Sequence, residues 1–360
     1  ASASSQGGAA SSRPSKTERQ LEAAATKAFV RKLSFPVFMK HHLRSVAPLD
    51  GLWDFSFLGK IDPDTVIPSE VPCEEKTLVP SAFDAMPSHA GKRGAAVYRR
   101  TVEIPPGRSA RLEFGAVSIW CRVDVDGVPC GSHACGYAPF SVEVPASDRA
   151  SRVISVLVDN RLDPQRAPMH APCFDFYQYG GLLRSVFLHV LPDGPWMDSV
   201  QVIPGKDYHR GGVEVAVHFG GGVPARVQLR VAFDGAEGEI REDVPVSDGV
   251  ARWNCTVPSA KVWSPDSPQL HALRVVLFDA SGAEADDAEV RFGLRRIEAR
   301  EGALWLNGEV LKLRGVCRHE WHPNSGLSTP TIQMMADLQL IRGLGGNFIR
   351  GSHYPQDQRF

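Results

Sequence analysis

Two histidines, His319 and His353, close short apolar-alternating runs, and each sits among further hydrogen-bonding side chains. The first lies in Gly315-Val-Cys-Arg-His-Glu-Trp-His-Pro323 and the second in Arg350-Gly-Ser-His-Tyr-Pro355. An imidazole offers one donor and one acceptor in fixed directions, so histidines on rigid strand ends suit the binding of a hydroxyl-rich ligand. On spacing alone, two satisfied structural histidines are the competing account. The run His319-Glu-Trp-His322 invites a metal reading through Glu320 and His322. The helical metalloprotease motif, however, needs its histidines four apart on one helix face, and these are three apart at a strand end. No metal and no cofactor are therefore expected. Asp175, between aromatics in Phe174-Asp-Phe-Tyr177, reads by itself as a turn residue, and Tyr177 and Tyr179 read as packing. Arg350 is expected to brace its strand end through a buried ion pair.

The elements that must position the two histidines can be read around them. The alternating run 310–316 leads into His319. A helical pattern follows in Met334, Met335, Leu338, Ile341, Arg342 and Leu344, and then a short strand, Asn347-Phe-Ile-Arg350. Strand, helix and strand make one βαβ unit, the opening of a (β/α)8 TIM barrel, where chemistry sits at the C-terminal strand ends. Adjacent parallel strands lie about 4.8 Å apart, so both histidines should project toward a common pocket. Upstream, Ala110-Arg-Leu-Glu-Phe114 and 119–126 alternate with period two, Asp126-Gly127 is a hairpin turn, and 152–159 is apolar on both faces. About 150 residues of such strands suggest a jelly-roll sandwich. Pro192-Asp-Gly-Pro195 breaks the pattern, and about 100 residues of short strands after it suggest an immunoglobulin-like β-sandwich. The fold class expected is mostly β.

With 360 residues the chain has room for two or three domains. Its 43% hydrophobic and 22% charged composition is that of an ordinary globular protein. A net charge of −1 gives no electrostatic reason to expect nucleic acid or an anionic membrane surface as partner. No apolar run approaches the roughly 18 residues of a membrane span. Seven cysteines, odd in number and without a CxxC pair, favour reduced thiols in an intracellular protein. Residues 1–16 are rich in Ser, Ala and Gly and carry Arg13 and Lys16 but no acid, the composition of an organelle-targeting remnant or of a disordered tail. A cytoplasmic or organellar location follows from these features. A short weakly helical stretch covers 17–34.

Four segments in order carry a family resemblance. They are Leu49-Asp-Gly-Leu-Trp-Asp-Phe55, Phe174-Asp-Phe-Tyr-Gln-Tyr-Gly-Gly-Leu-Leu-Arg184, Phe292-Gly-Leu-Arg295 with Leu306-Asn-Gly308, and the two histidine motifs. Over roughly residues 45–360 the chain resembles glycoside hydrolase family 2, the β-galactosidase/β-glucuronidase family, in its N-terminal portion. The resemblance implies a tail over 1–44, a jelly-roll sugar-binding domain over 45–194, an immunoglobulin-like β-sandwich over 195–293 and an incomplete barrel over 294–360. It implies a retaining exo-β-glycosidase acting on terminal non-reducing β-linked sugars, with β-glucuronides narrowly ahead of β-galactosides. His319 and His353 would hold substrate hydroxyls through the transition state, and Asp175 would reach the pocket from the first domain. Such enzymes need two carboxylates about 5 Å apart, and no Glu of this chain matches either motif, so the 360 residues alone should not hydrolyse a glycoside. Carbohydrate is the expected partner, and a homo-oligomer is an expectation from the family. One departure is Cys317, where the family usually carries Asn. A catalytically inactive carbohydrate-binding or scaffold protein, and one half of a split enzyme, are the alternatives.

Overall fold

The computed structural model describes residues 39–167 and 176–360. Strand Ser151–Asp159, apolar on both faces, lies inside a six-stranded antiparallel sheet between Ala95–Glu103 and Trp120–Val125. Gly51–Gly59 and Glu75–Val79 extend that sheet on one side and Val128–Ala134 on the other. Asp126 and Gly127 join the last two strands with φ of 52° and 81°, the left-handed pair that a two-residue hairpin turn needs. A four-stranded sheet of Val46–Pro48, Val186–Val190, Ala110–Phe114 and Phe140–Val144 completes the jelly-roll sandwich. Trp53, Phe55, Tyr98, Leu112 and Phe114 are fully buried in it.

The second sandwich runs from Trp196–Pro204 to Glu284–Phe292. Strand Glu239–Ser247 changes sheets along its length, pairing first with Arg226–Phe233 and then, through Val246 and Ser247, with Val250–Thr256. Asp243, at φ 58°, sits at the register shift within the first of these pairings, between Arg241 and Val244. The folded-over sheet encloses Val215, Val217, Leu229, Leu273, Val275, Leu277 and Ala288. This is the immunoglobulin-like layer pair.

A strap of residues 40–48 ties the two sandwiches together. Lys40 bridges Glu289, Asp287 accepts the backbone N–H groups of His42 and Leu43, and Arg44 forms a fully buried ion pair with Asp286. Val46–Pro48 then pairs with Phe187–His189 of the jelly roll.

Three short antiparallel strands, Ile297–Arg300, Ala303–Leu306 and Glu309–Leu311, precede the barrel strands. The alternating run 310–316 is thus two elements, an edge of this small sheet and the strand Gly315–Arg318. The split falls where Asn347 takes over the backbone partners, bonding Arg314 N–H and Lys312 C=O through its side chain. Helix Thr331–Gly343 follows, and it stops because Gly345 turns left-handed at φ 77°. The amides of Gly345 and Gly346 bond back to Arg342 and Ile341, a Schellman ending. The chain then enters Phe348–Gly351, parallel to Gly315–Arg318 with Cys317 opposite Arg350. Leu344, included in the helical pattern, caps the helix and is 85% exposed.

Candidate active site

The parallel pair brings the two histidines together. Their ring centroids are 5.5 Å apart and the planes stand at 82°. His319 is half-buried and His353 exposed. Phe176, the first described residue after Asp175, lies 5.0 Å from the His319 ring and 6.4 Å from that of His353. Three rings from two parts of the chain therefore line one corner at the C-terminal strand ends. Sugar rings bind such corners through C–H faces against aromatics and hydroxyls against imidazoles.

A buried polar lock lies directly beneath. Arg184, from the jelly roll, donates to Glu320 at 2.7 Å, to the Pro355 carbonyl at 2.7 Å and to the Tyr137 carbonyl at 2.9 Å. Glu320 also accepts the Asp357 amide at 2.8 Å. Burial raises the Glu320 carboxyl above the usual carboxylate range, against the pull of Arg184. Burial would raise Asp357 too, but hydrogen bonds from Arg359 outweigh it and hold that carboxyl low. Tyr354 stacks on Tyr137 at 3.8 Å and accepts the Glu320 amide at 2.9 Å. Around these groups Ala82, Ala116, Leu183 and Leu327 form an apolar cluster shared by the sandwich and the barrel start. Gly326 is required there: its φ is 56°, and a Cβ would sit 2.7 Å from the Tyr179 ring.

His319 and His353 meet as the spacing leads one to expect, whereas Asp175 lies outside the described residues. Arg350 departs from its expectation. It is exposed, no carboxylate lies within ion-pair range among the described residues, and it reaches the Cys317 thiol at 3.6 Å and His353 Nδ1 at 3.0 Å. The physical reason is that the barrel-side ion pair is made by the preceding strand: Arg318, mostly buried, bonds Asp337 of the helix at 2.8 Å. Tyr177 is also less a packing residue than expected, being 41% exposed with its hydroxyl 3.3 Å from Asp84 and Arg93 above its ring. Both oxygens of Glu320 already accept hydrogen bonds, from Arg184 and the Asp357 amide. A second candidate metal cluster, His41 with Asp286 and Asp287, is likewise filled, since Arg44, Arg274 and backbone amides occupy both carboxylates. Sequence reasoning missed Arg184, Tyr354 and Asp357 as site-forming residues. Arg184 and Tyr354 stood inside the quoted motifs, which was the available signal.

Comparison with known proteins agrees with this geometry. Residues 197–295 match the family described as glycosyl hydrolases family 2, and 297–360 match the TIM barrel domain of the same family. A β-glucuronidase of Streptococcus agalactiae is 26% identical over 90% of this chain, and a β-galactosidase of Thermoanaerobacter pseudethanolicus 27% identical over 79%. The chain spans 55% and 40% of their lengths. Among solved structures, a family 2 β-galacturonidase from Eisenbergiella tayi superposes with a TM-score of 0.75 at 30% identity, covering 91% of this chain and 56% of that one.

Proposed function

We propose, from the premise that this chain belongs to glycosyl hydrolase family 2, that it is the N-terminal part of a retaining exo-β-glycosidase. The observation that carries the reading is the pair of strand-end histidines 5.5 Å apart, flanked by Phe176. His319 and His353 hold sugar hydroxyls, and bonds that tighten as positive charge grows on the sugar ring supply transition-state binding. Asp175, next to Phe176 in the chain, adds a hydroxyl contact from the first domain. The division of labour is a jelly-roll sugar-binding domain over 45–194, an immunoglobulin-like spacer over 195–293 and the barrel from 294. No cofactor is needed, because the reaction uses two carboxylates and water. Neither carboxylate is Glu320, whose oxygens are bound to Arg184 and Asp357. The 360 residues alone do not hydrolyse a glycoside.

The substrate is a terminal β-glucuronide ahead of a β-galactoside, and the relatives' names, glucuronidase, galactosidase and galacturonidase, span both sugar types. A homo-oligomer in the cytoplasm or an organelle is the proposed setting. Among the described residues no helix is long and apolar enough to cross a membrane.

The test is to express the product of the whole reading frame that contains these residues and assay aryl β-glucuronide, β-galactoside and β-galacturonide. The expected result is hydrolysis with retention at the anomeric carbon. His319→Ala and His353→Ala should each lower kcat/KM about 10²- to 10³-fold. A folded product inert toward all three sugars sinks the enzyme reading. The second reading, a carbohydrate-binding or scaffold protein or half of a split enzyme, then takes its place, and calorimetric titration with the free sugars tests its binding form.

A further inference from the structure

We propose that Tyr354 and Arg350 are positioning residues that hold His319 and His353 in one tautomer, with the ring proton on Nε2. The pair then offers N–H donors to acceptor oxygens of a bound sugar. The donor assignment stands on hydrogen-bond chemistry, and the sugar rests on the function proposed above.

Arg350 settles its own histidine. A guanidinium has donors only, and its Nη1 lies 3.0 Å from His353 Nδ1. That nitrogen must carry a lone pair, so the proton sits on Nε2. Cys317, opposite Arg350 in the ladder, receives the same Nη1 at 3.6 Å, which ties the guanidinium across both strands. The Ser352 hydroxyl lies 3.2 Å from Nε2 and 3.4 Å from Nδ1. A hydroxyl donates or accepts as required, so lying beside both ring nitrogens it decides nothing by itself.

Tyr354 acts on the other ring. Its oxygen already accepts the Glu320 amide at 2.9 Å, and His319 Nδ1 is the other polar atom bonded to it among the described residues, at 3.3 Å. Burial pushes this phenol up to about 12, so it keeps its proton at neutral pH. A proton on His319 Nδ1 would face the hydroxyl with two N–H donors and leave the buried O–H without an acceptor. Orphaning a buried donor is costly enough to favour one tautomer by roughly tenfold or more. The phenol therefore donates to Nδ1, and Nε2–H faces the site.

A subsite built from two imidazole donors takes hydroxyl or carboxylate oxygens. It disfavours an ammonium at the same position, as in an amino sugar, because an ammonium has no lone pair to accept with.

The measurement is long-range proton–nitrogen NMR on the full chain labelled with ¹⁵N-histidine, at about pH 8, above the usual histidine range. His319→Gln and His353→Gln identify the two rings. Both rings are expected in the Nε2–H form. Tyr354→Phe should shift the His319 ratio toward Nδ1–H by about tenfold and leave His353 alone. Arg350→Met should do the reverse, while Arg350→Lys restores the His353 signature. A native ring protonated on Nδ1 overturns the proposal. So does an unchanged His319 in a Tyr354→Phe chain whose methyl spectrum shows the native fold. Should that variant fail to fold, the native tautomers still decide. No activity enters the readout, so failure of the glycosidase reading and failure of this one are told apart.

Discussion

Glu320 lies beside His319 and looks in the sequence like an acid for a metal or a proton. The fold instead commits it to Arg184, 136 positions away. A buried pair broken by removing one member leaves the other charge uncompensated, at about 3–5 kcal/mol. Glu320→Gln should therefore lower unfolding stability by about 3 kcal/mol, the low end, because Asp357 stands 3.9 Å from Arg184 as a residual partner. Arg359→Ala, removing a partly exposed guanidinium that pairs with Asp357, should cost about 1 kcal/mol or less. Urea denaturation of the two variants checks the contrast, and equal costs would contradict the lock. His319 and His353 were legible because their strands carry their own periodicity. Arg184 was not, since nothing in the spacing of residues 184 and 320 relates a link between two jelly-roll strands to a barrel strand end.

At the scale of elements, the βαβ unit was readable from its change of period, alternation giving way to a helical pattern and then to a second short strand. Strand Glu239–Ser247 was not, because a strand that serves two sheets shows neither sheet's alternation cleanly. The helix Thr331–Gly343 buries Met334 but leaves Ile332, Met335, Leu338 and Leu340 exposed, and Val316 and Phe348 on the parallel strands are exposed too. A helix apolar on several sides belongs between layers rather than on a surface. The 360-residue chain should therefore bind a hydrophobic dye and self-associate as its concentration rises. Leu340→Lys combined with Leu344→Lys should reduce both while changing stability by about 0.5 kcal/mol or less per site. Sedimentation velocity would show this, and a chain that stays monomeric and dye-silent at high concentration counts against it.

At the scale of the whole molecule, the strap 40–48 is the joint between the sandwiches, and its polar sequence, Lys40-His-His-Leu-Arg44, gave no hint of partners some 245 positions on. Within it His41 is held far below its ordinary 6.5, down to about 3, by burial first and then by the Arg44 guanidinium, with His189 adding to the effect. The unfolded chain therefore takes up this proton first. Its contribution is complete above about pH 6.5 and is lost as pH falls toward 3. Between pH 7 and 5 His41 alone should remove about 2 kcal/mol of stability. His189, lowered by burial despite Glu113, pulls the same way. Melting curves at the two pH values should converge in His41→Gln, and an unchanged gap would reject the assignment. The strap also has a consequence for synthesis. Asp286 leaves the ribosome 242 residues after Arg44, about 12–50 s later at 5–20 residues per second. Through that interval a nascent chain holds a guanidinium whose carboxylate partner has not yet been made.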